Sequence, residues 1–172
     1  MPPDPAKIGF RPVTENDLPM LECWLAAPHV AAWWDAPQEG ARKIADHISD
    51  PTVDPLLVEL EGEPFAYIQI CDLDAERDNE PALRGQPDRT IGLDQFIGPE
   101  TMTGKGMGPR FMRLAIADAF EAGAMRVLVD PHPDNRNAVR AYEKTGFRRL
   151  GIQNMASGPA LFMAIDRQEF VK

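Results

Sequence analysis

Two short runs carry residue types that chemistry needs, at spacings it can use. The first is Gly104, Lys105, Gly106, Met107 and Gly108, after which Pro109 opens a helix whose Phe111, Met112, Ala115, Ile116, Ala119 and Phe120 recur at helical spacing. Glycines let successive backbone N–H groups turn towards one point. The helix start adds its own unpaired donors and the positive end of its dipole. Together they predict a cradle for a pyrophosphate. Its details rule out two ligands. A nucleoside-triphosphate loop needs Ser or Thr directly after its Lys to hold magnesium, and Lys105 is followed by Gly106. A dinucleotide turn needs its third glycine at position 109, which is Pro109.

The second run, Asn135 to Phe147, reads NRNAVRAYEKTGF. Asp134 or Asn135 can cap a helix there, Gly146 can end it, and Ala138 and Tyr142 fall one turn apart on one face. A third signal is a single residue. Asp94 sits in the middle of Thr90 to Ile97 (TIGLDQFI), a stretch with the β-branched and aromatic content of a strand. Aspartate is disfavoured in a strand and costly if buried alone, so a charge in that place implies a partner.

The elements that must position these residues follow from the pattern. Ile8 to Val13 is predicted as a first strand, and Thr14 to Asp17 as the entry to a helix carrying Leu18, Leu21, Trp24 and Leu25. Trp33 and Trp34 cannot both face inwards on a regular helix, so one is exposed or lines a cavity. A short helix is predicted over Ala41 to Ile48. Two strands, Leu56 to Leu60 and Phe65 to Cys71, are predicted to be joined by a Glu61, Gly62, Glu63, Pro64 turn. Asp72 to Arg89 carries Asp72, Asp74, Glu76, Asp78, Glu80 and Asp88 among few apolar residues; it reads as a loop, either a solvated charge run or an acidic rim. Strands over Arg126 to Val129, Arg148 to Asn154 and Ala160 to Ile165 complete the set. The step from Thr90–Ile97 through the helix to Arg126–Val129 is a βαβ unit with parallel strands. The fold class is therefore α/β.

With both runs in place, the chain resembles the GNAT superfamily of N-acetyltransferases. Thr103 to Gly108 is similar to the superfamily's acetyl-coenzyme A motif, a basic or amide residue followed by x-x-G-x-G, with Thr103 departing at the first position. Asn135 to Phe147 matches N-x-x-A-x-x-x-Y-E-K-x-G-F at every fixed position. The resemblance implies a mixed central sheet with splayed parallel strands, flanked by helices, and acetyl-CoA as acetyl donor. It assigns donor contacts to Gln95, Phe96, Ile97, Thr103, Gly104, Lys105, Gly106, Met107, Gly108, Pro109, Arg110, Asn135, Ala138 and Tyr142, with Tyr142 as the proton donor to sulfur. Within the superfamily, IGLDQFI, GKGMG, the run from Asp130 through Pro131 and Pro133 to Asn135, and the TENDLPMLECWL stretch resemble the aminoglycoside 6′-N-acetyltransferases. That likeness implies acceptor contacts by Trp33, Trp34, Asp94 and Asp130, with Asp94 orienting the amine or relaying its proton. FIGPE also resembles the siderophore-type N-acyltransferases, which carry a histidine where this chain has Asp94. A non-catalytic acyl-CoA binding module is the reading from another class.

The totals agree. A chain of 172 residues predicts one domain, residues 1–172, with 44% hydrophobic residues and 17 prolines stiffening its loops. A net charge of −9 disfavours nucleic acid and anionic membrane and suits a polycationic amine. No apolar run is long enough to span a bilayer, and MPPDPAKIGF lacks a basic start followed by an apolar core. Cys23 and Cys71 have no metal or redox spacing and read as small packing residues in a reduced, cytoplasmic setting. The three histidines have no metal spacing, so no metal is expected. A monomer or homodimer is expected.

Overall fold

The computed structural model describes residues 7–171. Met1–Ala6, the start of the MPPDPAKIGF stretch, lies outside them. The strands are β1 (Ile8–Pro12), β2 (Val53–Leu60), β3 (Glu63–Asp72), β4 (Thr90–Ile97), β5 (Arg126–Val129), β6 (Arg148–Met155) and β7 (Gly158–Asp166). The helices are α1 (Leu18–Leu25), α2 (Pro28–Ala31), α3 (Pro37–His47), α4 (Met107–Glu121) and α5 (Arg136–Thr145). The seven strands form one mixed sheet in the order β1-β2-β3-β4-β5-β7-β6.

The chain forms two compact units, one holding the residues up to Ile70 with Asp94–Phe111, the other Cys71–Leu93 with the residues from Met112 on. In the first, β1 pairs antiparallel with β2 from Ile8–Leu60 to Pro12–Leu56. Thr14 then closes the turn into α1: its N–H and its hydroxyl both donate to Asp17 Oδ2, at 2.8 and 2.9 Å. The Arg11 guanidinium grips the same carboxylate with two bonds of 2.8 Å. Leu21, Leu25, Val30, Ala41, Ile44, Leu57, Tyr67 and Phe96 make this unit's core. In the second unit, β4 pairs parallel with β5 over Thr90–Arg126, Ile91–Val127 and Gly92–Leu128, and the pairing goes no further along β4. Antiparallel pairs β5–β7 and β6–β7 extend it, with a break in register between Arg149 and Gly151, where Gly151 has φ +135.

Several boundaries differ from the sequence expectation, each for a local reason. α3 begins at Pro37, not Ala41, because proline suits a first helical turn where no N–H is needed. α4 begins at Met107, so Pro109 is its third residue, and its missing N–H still falls among the amides that lack a helical partner. The β2–β3 turn has two residues, Glu61 and Gly62, both at positive φ, the conformation of a tight hairpin. α2 is a single turn that the pattern did not predict. Cys23 is exposed, correcting its reading as a packing residue, whereas Cys71 is buried. No helix among the described residues is long and apolar enough to cross a membrane.

Candidate active site

The first unit carries the cradle and Asp94. Gly104 and Gly106 have φ +69 and +73, the left-handed conformation that only glycine adopts without strain. A Cβ built at Gly104, Gly106 or Gly108 meets nothing within 4 Å, so the face of this turn is open. The amides of Met107, Gly108 and Arg110 are the first of a 15-residue helix and precede its internal ladder. Exposed Lys105 adds a cation. Turn, helix start and charge fit a diphosphate.

Asp94 is half-buried on β4. Burial pushes its carboxyl above the ordinary carboxylate range; a hydrogen bond from Gln69 and the charge of His47 pull the other way. Gln69 Nε2 donates to Asp94 Oδ2 at 2.9 Å, and Tyr67 Oη meets Gln69 Oε1 at 2.8 Å. Beside them an aromatic group closes up: Trp34 stands 6.1 Å from Tyr67 and 4.9 Å from Phe96, both edge-on. Trp33 keeps 46% of its surface exposed, as two adjacent tryptophans require. The loop after β4 is fixed by its neighbours. His29 Nε2 bonds the Ile97 carbonyl at 2.9 Å, and the Gly98 N–H donates to the Phe65 carbonyl at 2.9 Å. A Cβ on Gly98 would stand 2.0 Å from the Trp24 ring.

The second unit carries the remaining sequence-predicted residues. Asn135 Oδ1 accepts from the Ala138 N–H at 3.2 Å and caps α5; Gly146 ends the helix at φ +115. Tyr142 is buried with its ring 5.6 Å from Phe147, and Ala138 is half-buried. Asp130 is exposed just past the end of β5. The acidic 72–89 segment is fastened at its ends by one cation. Arg77 bonds Asp74 at 2.7 Å and Asp88 at 3.0 Å, while Asp74 accepts from the Arg89 and Thr90 amides at 2.6 and 3.3 Å. Asp74 is thus committed to the segment's own backbone and to Arg77, whereas Asp88 stays exposed.

These elements match a profile of the GNAT acetyltransferase domain over residues 13–155. The chain belongs to the GNAT acetyltransferases. This acetyltransferase is 32% identical over 178 residues, 95% of this chain and 85% of the other, to an aminoglycoside N(6')-acetyltransferase type 1 of Klebsiella pneumoniae. It superposes on the aminoglycoside acetyltransferase AAC(6')-Ib, solved with coenzyme A and kanamycin, with a TM-score of 0.85 and 31% identity, over 95% of this chain and 96% of that one. A lysine N-acyltransferase of Mycolicibacterium paratuberculosis is 25% identical over 156 residues, 88% of this chain and 70% of the other. GNAT enzymes take their acetyl group from acetyl-CoA, and AAC(6')-Ib has also been solved with acetyl-CoA bound.

Three features of the acetyltransferase were not read from its sequence. Thr103, at the motif's divergent first position, donates its hydroxyl proton to the Glu100 carbonyl at 2.7 Å, so its side chain serves its own turn. Gln69 and His29 were assigned no role. Gln69 had a signal, as a polar residue inside the apolar FAYIQIC strand; His29 had none, because its partner is a backbone oxygen 68 residues away.

Proposed function

We propose that this chain, working as a single N-acetyltransferase domain, moves the acetyl group of acetyl-CoA to the 6′-amino group of an aminoglycoside in a ternary complex. The observation that carries the reading is Asp94: a carboxylate on β4, in the same unit as the open cradle, held by Gln69. A carboxylate there attracts an ammonium, and the relatives that match almost the whole chain are named for acetylating that amine.

In this reading the amides of Gly104 to Gly108 and the α4 start hold the diphosphate, with Lys105 and Arg110 as cations. Backbone N–H groups of Gln95 to Ile97 face the developing oxyanion. Asp94 and Asp130 hold the polycation, with Trp33 and Trp34 as walls of the acceptor site. The amine nitrogen attacks the thioester carbon and the carbon–sulfur bond breaks. The amine gives up a proton, which Asp94 relays through water, and Tyr142 supplies a proton to the departing thiolate. A phenol is protonated at neutral pH, as that acid must be.

Purified protein with acetyl-CoA and kanamycin or tobramycin is expected to release free thiol, more slowly in Tyr142→Phe. Release only with a hydroxylated diamine or an amino acid would replace this reading with the siderophore-type acylation that the lysine N-acyltransferase relative represents. Coenzyme A binding without any release would leave a binding module.

A further inference from the structure

Asp94 does not stand alone on its strand. Tyr67 and Gln69 lie two residues apart on β3, hence on one face, and join it in a chain of hydrogen bonds of 2.8 and 2.9 Å. The direction of that chain is set by chemistry. An ionised carboxylate only accepts, so the Gln69 amide must present Nε2 to Asp94 and Oε1 to Tyr67, whose hydroxyl must then donate. Tyr67 is fully buried, and its ring is held by Trp34 and by Phe96, whose centroid is 5.3 Å away. The far end of the chain is therefore rigid. The Gln69 bond takes Oδ2 of a carboxylate that is only half-buried, and Oδ1 is the oxygen it does not take.

The geometry points to Tyr67 and Gln69 as a positioning relay that pins Oδ2 of Asp94 and turns Oδ1 to the acceptor amine. The relay rests on the reading of Asp94 as the acceptor-side carboxylate. It does two things for the reaction. It keeps the carboxylate from rotating as the ammonium arrives, and it stabilises the ionised form against the burial that favours the neutral one. If Asp94 were protonated, the same bond would run to a neutral oxygen and be weaker. His47, on α3, is the ionisable neighbour that acts on Asp94 directly, and Tyr67 reaches it from β3 through Gln69. His47 is present in every variant below, so differences between variants report the relay.

The test is the pH profile of kcat/KM for kanamycin, with acetyl-CoA saturating, in the wild type, Gln69→Leu and Tyr67→Phe. Removing the donor to an ionised carboxylate raises the pH at which it ionises, so the acid limb moves up. Gln69→Leu is expected to be about tenfold slower on the acid side and to converge on the wild type at high pH. Tyr67→Phe, which keeps the buried ring, moves the limb the same way by less. Coenzyme A affinity by calorimetry stays unchanged in both. A loss uniform across pH, or no loss, in both variants overturns the relay. A second readout needs no acceptor: carbon-13 NMR of labelled aspartate in the ligand-free protein, with Asp94 assigned by its Asn variant. Titration of Asp94 shifted upward in Gln69→Leu, without thiol release by the wild type, keeps the relay and overturns the proposed function. Thiol release with an unshifted titration does the reverse.

Discussion

At the scale of the residue, Asp94 carries a stability cost along with the chemistry proposed for it. Its folded-state carboxyl ionises above the ordinary range, so between the unfolded value and the raised folded value the native state holds the extra proton. Stability therefore falls as pH rises through that window, and above it the full cost of the buried charge is present. Asp94→Asn removes the charge and keeps an oxygen for Gln69. Its Tm at pH 7 is expected to rise by about 2–4 °C, with the gain vanishing in acid, while turnover drops about 100-fold. Scanning calorimetry at pH 7 and in acid, with thiol release, checks both; a lowered Tm would make Asp94 a structural residue. Asp94 was legible in the sequence because a charge in the middle of IGLDQFI contradicts its surroundings. Gln69 was not, since a neutral amide in a strand has many harmless explanations and its partner lies 25 residues away.

At the scale of the element, the turn from β1 into α1 is a bracket made of four side chains. Asp17 accepts from Arg11 and from Thr14, and Arg11 also bonds Glu59 at 2.7 Å. The Arg11 guanidinium holds the Asp17 carboxyl well below the usual carboxylate range. A depressed value contributes stability that is full above the unfolded range and is lost as pH falls towards the folded value. Asp17→Asn is expected to cost about 1 kcal/mol at pH 7, allowing for the part-exposed Arg11, and the gap should close in strong acid. Urea midpoints across pH measure it. TEND announced this entry. By contrast, the first turn of α3, Pro37 to Gly40, has no apolar residue to show a period, and α2 is too short to have one. The strands were easier, because alternating or continuous apolar runs bounded by Gly and Pro leave few alternatives; β4 and β5 were placed to the residue.

At the scale of the molecule, 27 acidic against 18 basic residues leave a net charge of −9. Such a field draws a polycation inwards and is screened by salt. Raising sodium chloride from about 50 to 500 mM is expected to lift KM for kanamycin about 3- to 10-fold with kcat nearly constant. KM insensitive to salt would confine recognition to short-range contacts. The family was legible at this scale because two motifs stood in the right order. What sequence could not give was which acids of the 72–89 segment are already committed, since that depends on where Arg77 lies. Its grip on Asp74 and Asp88 ties both ends of the segment to the start of β4. Between them, buried Leu83 anchors the middle of the segment as well. A single cation thus stands at both ends of the 72–89 excursion, and Arg77→Ala is expected to loosen the two ends together rather than one at a time.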